Sequence, residues 1–598
     1  MKTTAVAKWA AIILMAGASA ADAATVTRGP YLQMPTAASI VVRWRTDVAT
    51  SSQVAYGAAP GSLTQTADDA TLTTEHIVAL SGLAADTQYF YSVGEIGVPL
   101  VGDDADHWLR TAPTTGTARA TRIWTIGDAG FTGANLNAVR DAFGTYAGTS
   151  SADMFLLLGD NAYVTGTDAQ YQAAVFDTHA AMLRTTPVWS VVGNHESFSS
   201  NSVTQTGPYF DMFSFPTAGE VGGIASGTES YFSFDYGTLH VIVLNSEQAP
   251  ASSMTPMLTW LEADLQAATL DNPDWIIALW HKPPYSRGLL HNSDTEVAEI
   301  NMRQYVLPVL EDYGVDVVFC GHSHSYERSY FLDSHYGLSG TLTPANLVEP
   351  GDGDPAGDGA YRKEATGLSP HSGAVYVVNG SGSEVRVTTL DHPAMLVGLL
   401  ELGSVIVDVD GNTLTAQFLN SAVQVKDTFR IIKGTTCPAV AAGGCAAAPK
   451  GKVKVQNNAD ASKDKWLWKW KDGTLDGLTL GDPAGDTDLA TCLYDANGVL
   501  VGGTLLHGAP EWKTTGSGLI YKDTTLSRHG LQKIKLKFGT GTGSILVKAR
   551  GANAAVPTLP VALPLTAQLV NVDTGACWES VFAIAKKNDS AKFKAVLP

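Results

Sequence analysis

Two histidines, His322 and His324, stand two residues apart in Gly321-His322-Ser323-His324-Ser325-Tyr326-Glu327-Arg328, directly after the apolar run from Val315 to Cys320. On an extended backbone this spacing turns both imidazoles to one side, so that a single loop end can grip a metal ion. Alone, an HxH pair is commonly a coincidence of surface or core. Its weight comes from four further motifs in the same local setting: Gly127-Asp128-Ala129-Gly130, Gly159-Asp160-Asn161-Ala162-Tyr163, Gly193-Asn194-His195-Glu196 and His281-Lys282-Pro283-Pro284. Together they offer carboxylates at Asp128 and Asp160, a phenol at Tyr163, an amide oxygen at Asn194 and imidazoles at His281, His322 and His324. Hard oxygen mixed with imidazole suits iron, zinc or manganese better than magnesium or calcium. Seven donors are too many for one tetrahedral ion. Two ions sharing a carboxylate would use them fully, and a pair about 3.5 to 4 Å apart clamps the attacking and leaving oxygens of a phosphoryl displacement.

The elements that must position these motifs are five apolar runs: Arg122 to Ile126, Met154 to Leu158, Pro187 to Val192, Trp275 to Trp280 and Val315 to Cys320. They show little alternation, as strands buried on both faces do in an α/β core covered by helices. Each leads straight into one motif. Ligand crevices in such sheets lie beyond the carboxyl ends of the strands, so the five motifs are expected to converge. Helices are expected over Ala169 to Leu183, Pro256 to Ala268 and Ser293 to Asp312, and later strands over Gly373 to Asn379 and Ser404 to Phe418. The acidic stretch Glu349 to Gly359 fits no calcium loop and reads as solvated.

These five motifs, in this order, resemble those of the purple acid phosphatases, a branch of the calcineurin-like metallophosphoesterases, over about Arg119 to Lys433. The resemblance implies an αββα sandwich and a dinuclear centre of Fe(III) with Zn(II), Fe(II) or Mn(II). It assigns Asp128, Tyr163 and His324 to the ferric site, Asn194, His281 and His322 to the divalent site, and Asp160 to the bridge. Tyr163 matches the phenolate whose charge transfer gives that family its colour. His195 and His291 match catalytic histidines outside the ligand set that contact phosphate and protonate the leaving alkoxide. His291 rests only on its distance from His281, and Glu196 is expected to orient a neighbour. The activity implied is acid phosphatase, hydrolysis of phosphate monoesters by a metal-bound hydroxide. Phosphodiester or nucleotide hydrolysis on the same centre is an alternative. A reading from another class is a surface-attachment protein whose middle domain is only a scaffold.

At 598 residues the chain is long enough for about three to four domains, and 45% hydrophobic with 16% charged residues is the balance of a packed globular protein. Residues 1–23 carry Lys2 and Lys8, an apolar stretch and an Ala-x-Ala end, the pattern of a secretory leader. The protein is therefore expected to be secreted or periplasmic, with no membrane span. Residues 24–114 read as an antiparallel sandwich, similar to a fibronectin type III module, with a spacer's role. The catalytic part follows at 119–433, an Ala/Gly-rich linker at 434–450, and an all-β C-terminal domain at 451–598 taken as a second sandwich. There Trp466, Trp468 and Trp470 fall at strand period, which suggests either a core face or a strip that binds a sugar, surface or polymer. The expected disulfides join Cys437 to Cys445 and Cys492 to Cys577, leaving Cys320 as a buried apolar residue. Net charge is −19. From residue 450 onward 19 Lys/Arg oppose 13 Asp/Glu, or +6, against 20 and 45, or −25, before it. So acidic a body disfavours nucleic-acid binding beyond possible nucleotide substrates, and an anionic phosphate-ester substrate needs local positive charge.

Overall fold

The five apolar runs form strands, which we label β1 (Thr121–Ile126), β2 (Met154–Leu157), β3 (Val188–Ser190), β4 (Trp275–Leu279) and β5 (Val317–Cys320). The computed structural model describes residues 24–597 apart from 149–150, 358, 364–366, 435–436, 438–440, 484–486, 506–510, 525, 527–529, 552–553, 555 and 573. The leader expected over 1–23 lies outside the described residues. No described helix is long and apolar enough to cross a membrane.

The five strands are shared between two seven-stranded sheets. In the first, β1, β2 and β3 run parallel at one end, and β1 pairs antiparallel with Gly403–Asp410 on its other side. The second has Leu239–Val243, β4, β5 and Val375–Asn379 in parallel at its centre. Alternate residues of β4 and β5 serve different cores. Ile277, Leu279, Val317 and Phe319 pack towards the first sheet, while Ile276, Ala278, Val318 and Cys320 pack with the helix Pro256–Asp271 and the helix Leu307–Asp312. On the first sheet Trp124 stacks on Phe143 of the helix Ala134–Ala147 at 4.5 Å. Sheets therefore face one another inside and helices cover them outside, which explains the lack of alternation in the sequence.

The expected helix over Ala169 to Leu183 is three short helical pieces, Asp168–Tyr171, Gln172–Asp177 and Ala180–Leu183. The stretch expected to be helical from Ser293 starts its helix only at Val297, which leaves residues 293–296 as loop.

Residues 26–110 form six strands in one continuously hydrogen-bonded sheet, in which the 19-residue strand Ser39–Gly57 changes partners along its length. Trp44 is buried there and stacks on His76 at 4.6 Å. The C-terminal residues build a five-stranded and an eight-stranded sheet whose facing side chains share one core. Trp466, Trp468 and Trp470 all point into that core, at 4%, 0% and 0% exposure. They are therefore not a binding strip.

The disulfides are Cys437–Cys492 and Cys445–Cys577, which corrects the expected pairing. Cys492 and Cys577 lie on strands separated by Leu565–Asn571. Two strand spacings, about 9 to 10 Å, exceed the reach of a disulfide. Cys437 and Cys445 each reach one of the two strands instead. Cys320 is buried and unpaired by disulfide, as expected.

One buried charge fastens the second sheet to its helix. His240 meets Asp235 through Nδ1 at 2.8 Å and Asp264 of the helix Pro256–Asp271 through Nε2 at 3.0 Å. Burial alone would lower the pKa of this imidazole, but the two carboxylates outweigh it and push it up to about 9. A raised folded value means that the contribution is complete below the ordinary 6.5 and is lost as pH climbs through about 9. It is worth on the order of 3 kcal/mol. Urea melts are expected to show stability declining between those two pH values, with His240→Gln flattening that slope; a slope unchanged by the substitution would refute the buried imidazolium.

Candidate metal centre

Asp128, Asp160 and His322 each lie just beyond a strand end, and each holds a positive φ, 53°, 54° and 71°. This left-handed backbone costs a residue with a Cβ about 1 kcal/mol or more, and such strain is retained where the surroundings enforce it. Glycines give the ligand side chains room. A Cβ on Gly321 would fall 2.6 Å from Asp128 Oδ2, and one on Gly159 would fall 2.7 Å from His281 Nδ1. Glu196, fully buried, accepts the backbone N–H groups of Asp160 at 2.8 Å, Asn161 at 2.9 Å and Gly193 at 2.8 Å. It ties the loop after β2 to the loop after β3, a stronger form of the orienting role expected for it.

The seven sequence-predicted donors gather in two groups. In one, the Tyr163 hydroxyl is 2.9 Å from Asp128 Oδ1 and 3.0 Å from His324 Nε2, which is itself 3.4 Å from Asp128 Oδ1. In the other, His281 Nε2 is 3.1 Å from Asn194 Oδ1, 3.4 Å from Asp160 Oδ1 and 3.3 Å from His322 Nδ1. The His322 backbone N–H donates to Asp128 Oδ2 at 2.6 Å and joins the groups. The HxH loop is anchored from behind. Arg328 grips Asp427 through two nitrogens at 2.6 and 2.9 Å, Tyr326 donates to Asp427 at 2.7 Å, and Glu327 accepts the Ser286 hydroxyl at 2.6 Å.

Each imidazole turns one nitrogen inwards; the other is hydrogen-bonded outside in His281 and His322, and in His324 it approaches a carboxylate without hydrogen-bond geometry. His281 Nδ1 donates to the Leu158 carbonyl at 2.9 Å, His322 Nε2 meets Glu296 at 3.1 Å, and His324 Nδ1 lies 2.8 Å from Glu384. This is the outer support that metal-ligating histidines need to fix ring orientation and tautomer. The two glutamates were missed in the sequence. Glu384 follows the strand Val375–Asn379, and Glu296 sits in the stretch read as helix, so only its place five residues after His291 gave a signal.

His195 donates Nδ1–H to the Val164 carbonyl at 2.5 Å, which leaves Nε2 facing Asp160 Oδ2 at 3.6 Å; its backbone N–H donates to Asp160 Oδ1 at 2.9 Å. His291, placed by spacing alone, does reach the site. Its ring packs 3.8 Å from that of His322, and Nδ1 meets Glu296 at 2.9 Å. Glu296 therefore holds a predicted ligand and a predicted catalytic histidine at once.

The electrostatics suit a cation. Burial pushes His322 down to about 3, helped by the neighbouring His281 and His291 and opposed by Glu296, so it is a neutral imidazole. Burial also acts to lower His281, but the charge of Asp160 more than offsets it and raises His281 to about 10. Asp160, which burial alone would raise, is held below the usual carboxylate range by His281 and His195. Burial, with the charges of Asp128 and Asp160, lifts the Tyr163 phenol well above its ordinary value. Converging carboxylate, phenol, amide oxygen and imidazole donors around buried negative charge form a set that fits two metal ions of the iron or zinc type.

Comparison with known proteins agrees with this chemistry. Residues 121–326 match the family model of calcineurin-like phosphoesterases, and residues 28–111 match that of the purple acid phosphatase N-terminal domain. A phosphoenolpyruvate phosphatase of Allium cepa is 26% identical over 326 residues, covering 52% of this chain and 63% of that protein. Purple acid phosphatase 18 of Arabidopsis thaliana is 28% identical over 338 residues, 54% of this chain and 68% of that protein. The chain thus spans less than two thirds of the onion enzyme's length. The structure of purple acid phosphatase PPD1 from yellow lupin seeds shares the fold, with a TM-score of 0.53 at 17% identity over 68% of this chain and 75% of that one. The chain carries a calcineurin-like phosphoesterase domain behind a purple acid phosphatase N-terminal domain, and across them it resembles the purple acid phosphatases.

Proposed function

We propose that this protein is an exported acid phosphatase that hydrolyses small phosphate monoesters at a dinuclear metal centre. The observation that carries the reading is the division of the donors into two groups joined at their backs. Asp128, Tyr163 and His324 would hold a ferric ion, Asn194, His281 and His322 a divalent ion (zinc, iron or manganese), and Asp160 would lie between them. When bound, such a centre supplies an activated nucleophile and neutralises charge developing on phosphorus. The rest is the work of side chains. His195, with Nδ1–H fixed by the Val164 carbonyl, presents Nε2 to the site, where a proton can neutralise a phosphate oxygen and pass to the departing alkoxide. His291, steered by Glu296, is positioned for a second contact of that kind. The boundaries proposed are a leader over 1–23, an N-terminal module over 24–114, the phosphoesterase over 119–433, a linker over 434–450 and a C-terminal β-domain over 451–598.

Elemental analysis is expected to find iron with a second metal, and the visible spectrum a purple band that Tyr163→Phe removes; zinc or manganese alone, without colour, would reassign the centre. Asp160→Ala and His322→Ala are expected to lose metal and phosphatase activity together, and a variant that retained both would defeat the proposal. His195→Ala should keep its metal while turnover falls roughly 100-fold or more, most on esters with poor leaving groups. Glu296→Gln is expected to weaken metal retention about 10- to 100-fold in chelator competition, as loss of outer support does.

A further inference from the structure

The side of the eight-stranded C-terminal sheet that faces away from the core is paved with lysine. Its central strands are β6 (Lys450–Gln456), β7 (Lys465–Leu475), β8 (Gly518–Lys522), β9 (Leu531–Lys537), β10 (Gly539–Arg550) and β11 (Lys592–Val596), adjacent in the order β8, β9, β10, β7, β6, β11. The register sets Lys522, Lys533, Lys548, Leu467, Lys454 and Lys594 opposite one another in a single row across all six. Five strand spacings make that row about 24 Å long. Two residues further along the strands a second row mixes charge with apolar residues, Ile520, Lys535, Leu546, Lys469, Lys452 and Val596, with Lys452 opposite Lys469. The alternate positions are the buried Val, Trp, Ile and Phe of the core, so the lysines share one outward face. Among the described residues, the outward positions of β6 and β8 to β11 hold no carboxylate, and on β7 Asp472 stands at the margin, paired with Lys450 at 2.9 Å.

Like charges directly opposed across strands destabilise a sheet. Here Lys454 faces Lys594, Lys452 faces Lys469, and Lys533 faces both Lys522 and Lys548. The proximity of Lys454, Lys594 and Lys469 already lowers the Lys452 pKa. A sheet that accepts this repulsion, on a chain of net charge −19, is arranged to meet negative charge from outside.

We infer that this face docks the protein on an anionic phospholipid surface. Three features select that occupant. The charges form a two-dimensional array, whereas a linear polymer would engage one row at a time. They are lysine almost throughout, flexible point charges suited to diffuse attraction rather than to the planar fork recognition of arginine. The tryptophans of β7 are turned into the core, so among the described residues they offer no stacking platform for bases or sugars beside the lysines. Leu467 and Leu546, half-buried between them, give the face an aliphatic floor, and each lysine near an anionic bilayer adds to the attraction.

The test is co-sedimentation of the full-length protein with vesicles of phosphatidylcholine alone or with about a third phosphatidylglycerol, a fraction chosen to give a clearly negative surface potential. Binding is expected only to the anionic vesicles at low salt, and is expected to weaken as salt rises. Replacing Lys454, Lys594, Lys533 and Lys548 by Gln should cut partitioning roughly 100-fold or more, leave the melting temperature unchanged or higher, and leave turnover of a small soluble monoester as it was. Replacing the same four by Arg should preserve binding. The inference is overturned if the wild type ignores anionic vesicles at low salt, if the Gln variant binds like the wild type, if inorganic polyphosphate is bound in preference to vesicles, or if the face drives only self-association. Because monoester turnover is read separately, the docking and the phosphatase assignment can each fail alone.

Discussion

A buried carboxylate needs positive charge beside it, and for Asp160 the imidazoles of His281 and His195 supply it. That constraint organises the centre of the molecule. Asp160 lies at the end of a strand in one sheet and His281 at the end of a strand in the other, and their approach to 3.4 Å fixes how the two sheets meet. His281 consequently holds its proton up to about pH 10, while His322, a short distance away, is neutral. A cation of higher charge relieves this competition more fully than one proton can. The positive φ values at Asp128, Asp160 and His322 are tolerable because Glu196 and the HxH anchors at Asp427 and Ser286 hold the loops rigidly from behind.

What the sequence reveals depends on whether the chemistry requires a residue type or only a position. The gathering of Asp128, Asp160, Tyr163, Asn194, His281, His322 and His324 was legible because the donor types a metal centre would need are few and each followed an apolar strand. The partition of those strands between two sheets was not, since strands buried on both faces read alike wherever they pair. Glu296 and Glu384 escaped because outer support can come from any carboxylate that reaches the far nitrogen, and no spacing rule demands one. The disulfide pairing is hidden for a related reason: strand order, not proximity in sequence, decides which cysteines meet. For Trp466, Trp468 and Trp470, periodicity established a common face but could not say which side of the sheet it was.

Charge divides the chain into parts with different demands. The body before residue 450 carries −25 and the remainder +6, yet within the C-terminal part the positive charge is not dispersed. Solubility alone is met by mixed charges, in which opposed Lys–Lys pairs would be replaced by Lys–Glu pairs at a gain in stability. Concentrating lysine on one sheet face, on residues other than those of the candidate metal centre, assigns the charge that would attract a large anionic surface and the charge that would handle one small phosphate to different side chains.

The N-terminal module is more than a spacer, because besides contacts to Arg184, Asp211, Met212 and Ser214 it grips the segment that carries Tyr163. Arg45 grips both oxygens of Asp168, at 2.8 and 2.5 Å, and Arg28 reaches Asp168 at 2.8 Å and Gln172 at 2.7 Å. Asp168 opens the short helix that follows Tyr163 and Val164, and Thr167 and Gln170 cap that helix reciprocally. The same stretch supplies the Val164 carbonyl that fixes the His195 tautomer. Asp168 is partly exposed, so these ion pairs contribute modestly to stability. Their consequence is geometric: two arginines of the preceding sheet hold the far end of a loop whose near end must place a phenol and orient an imidazole. A tyrosine on an unbraced loop would have to be ordered anew at each binding event, whereas here that ordering is built in when the N-terminal sheet packs on this segment.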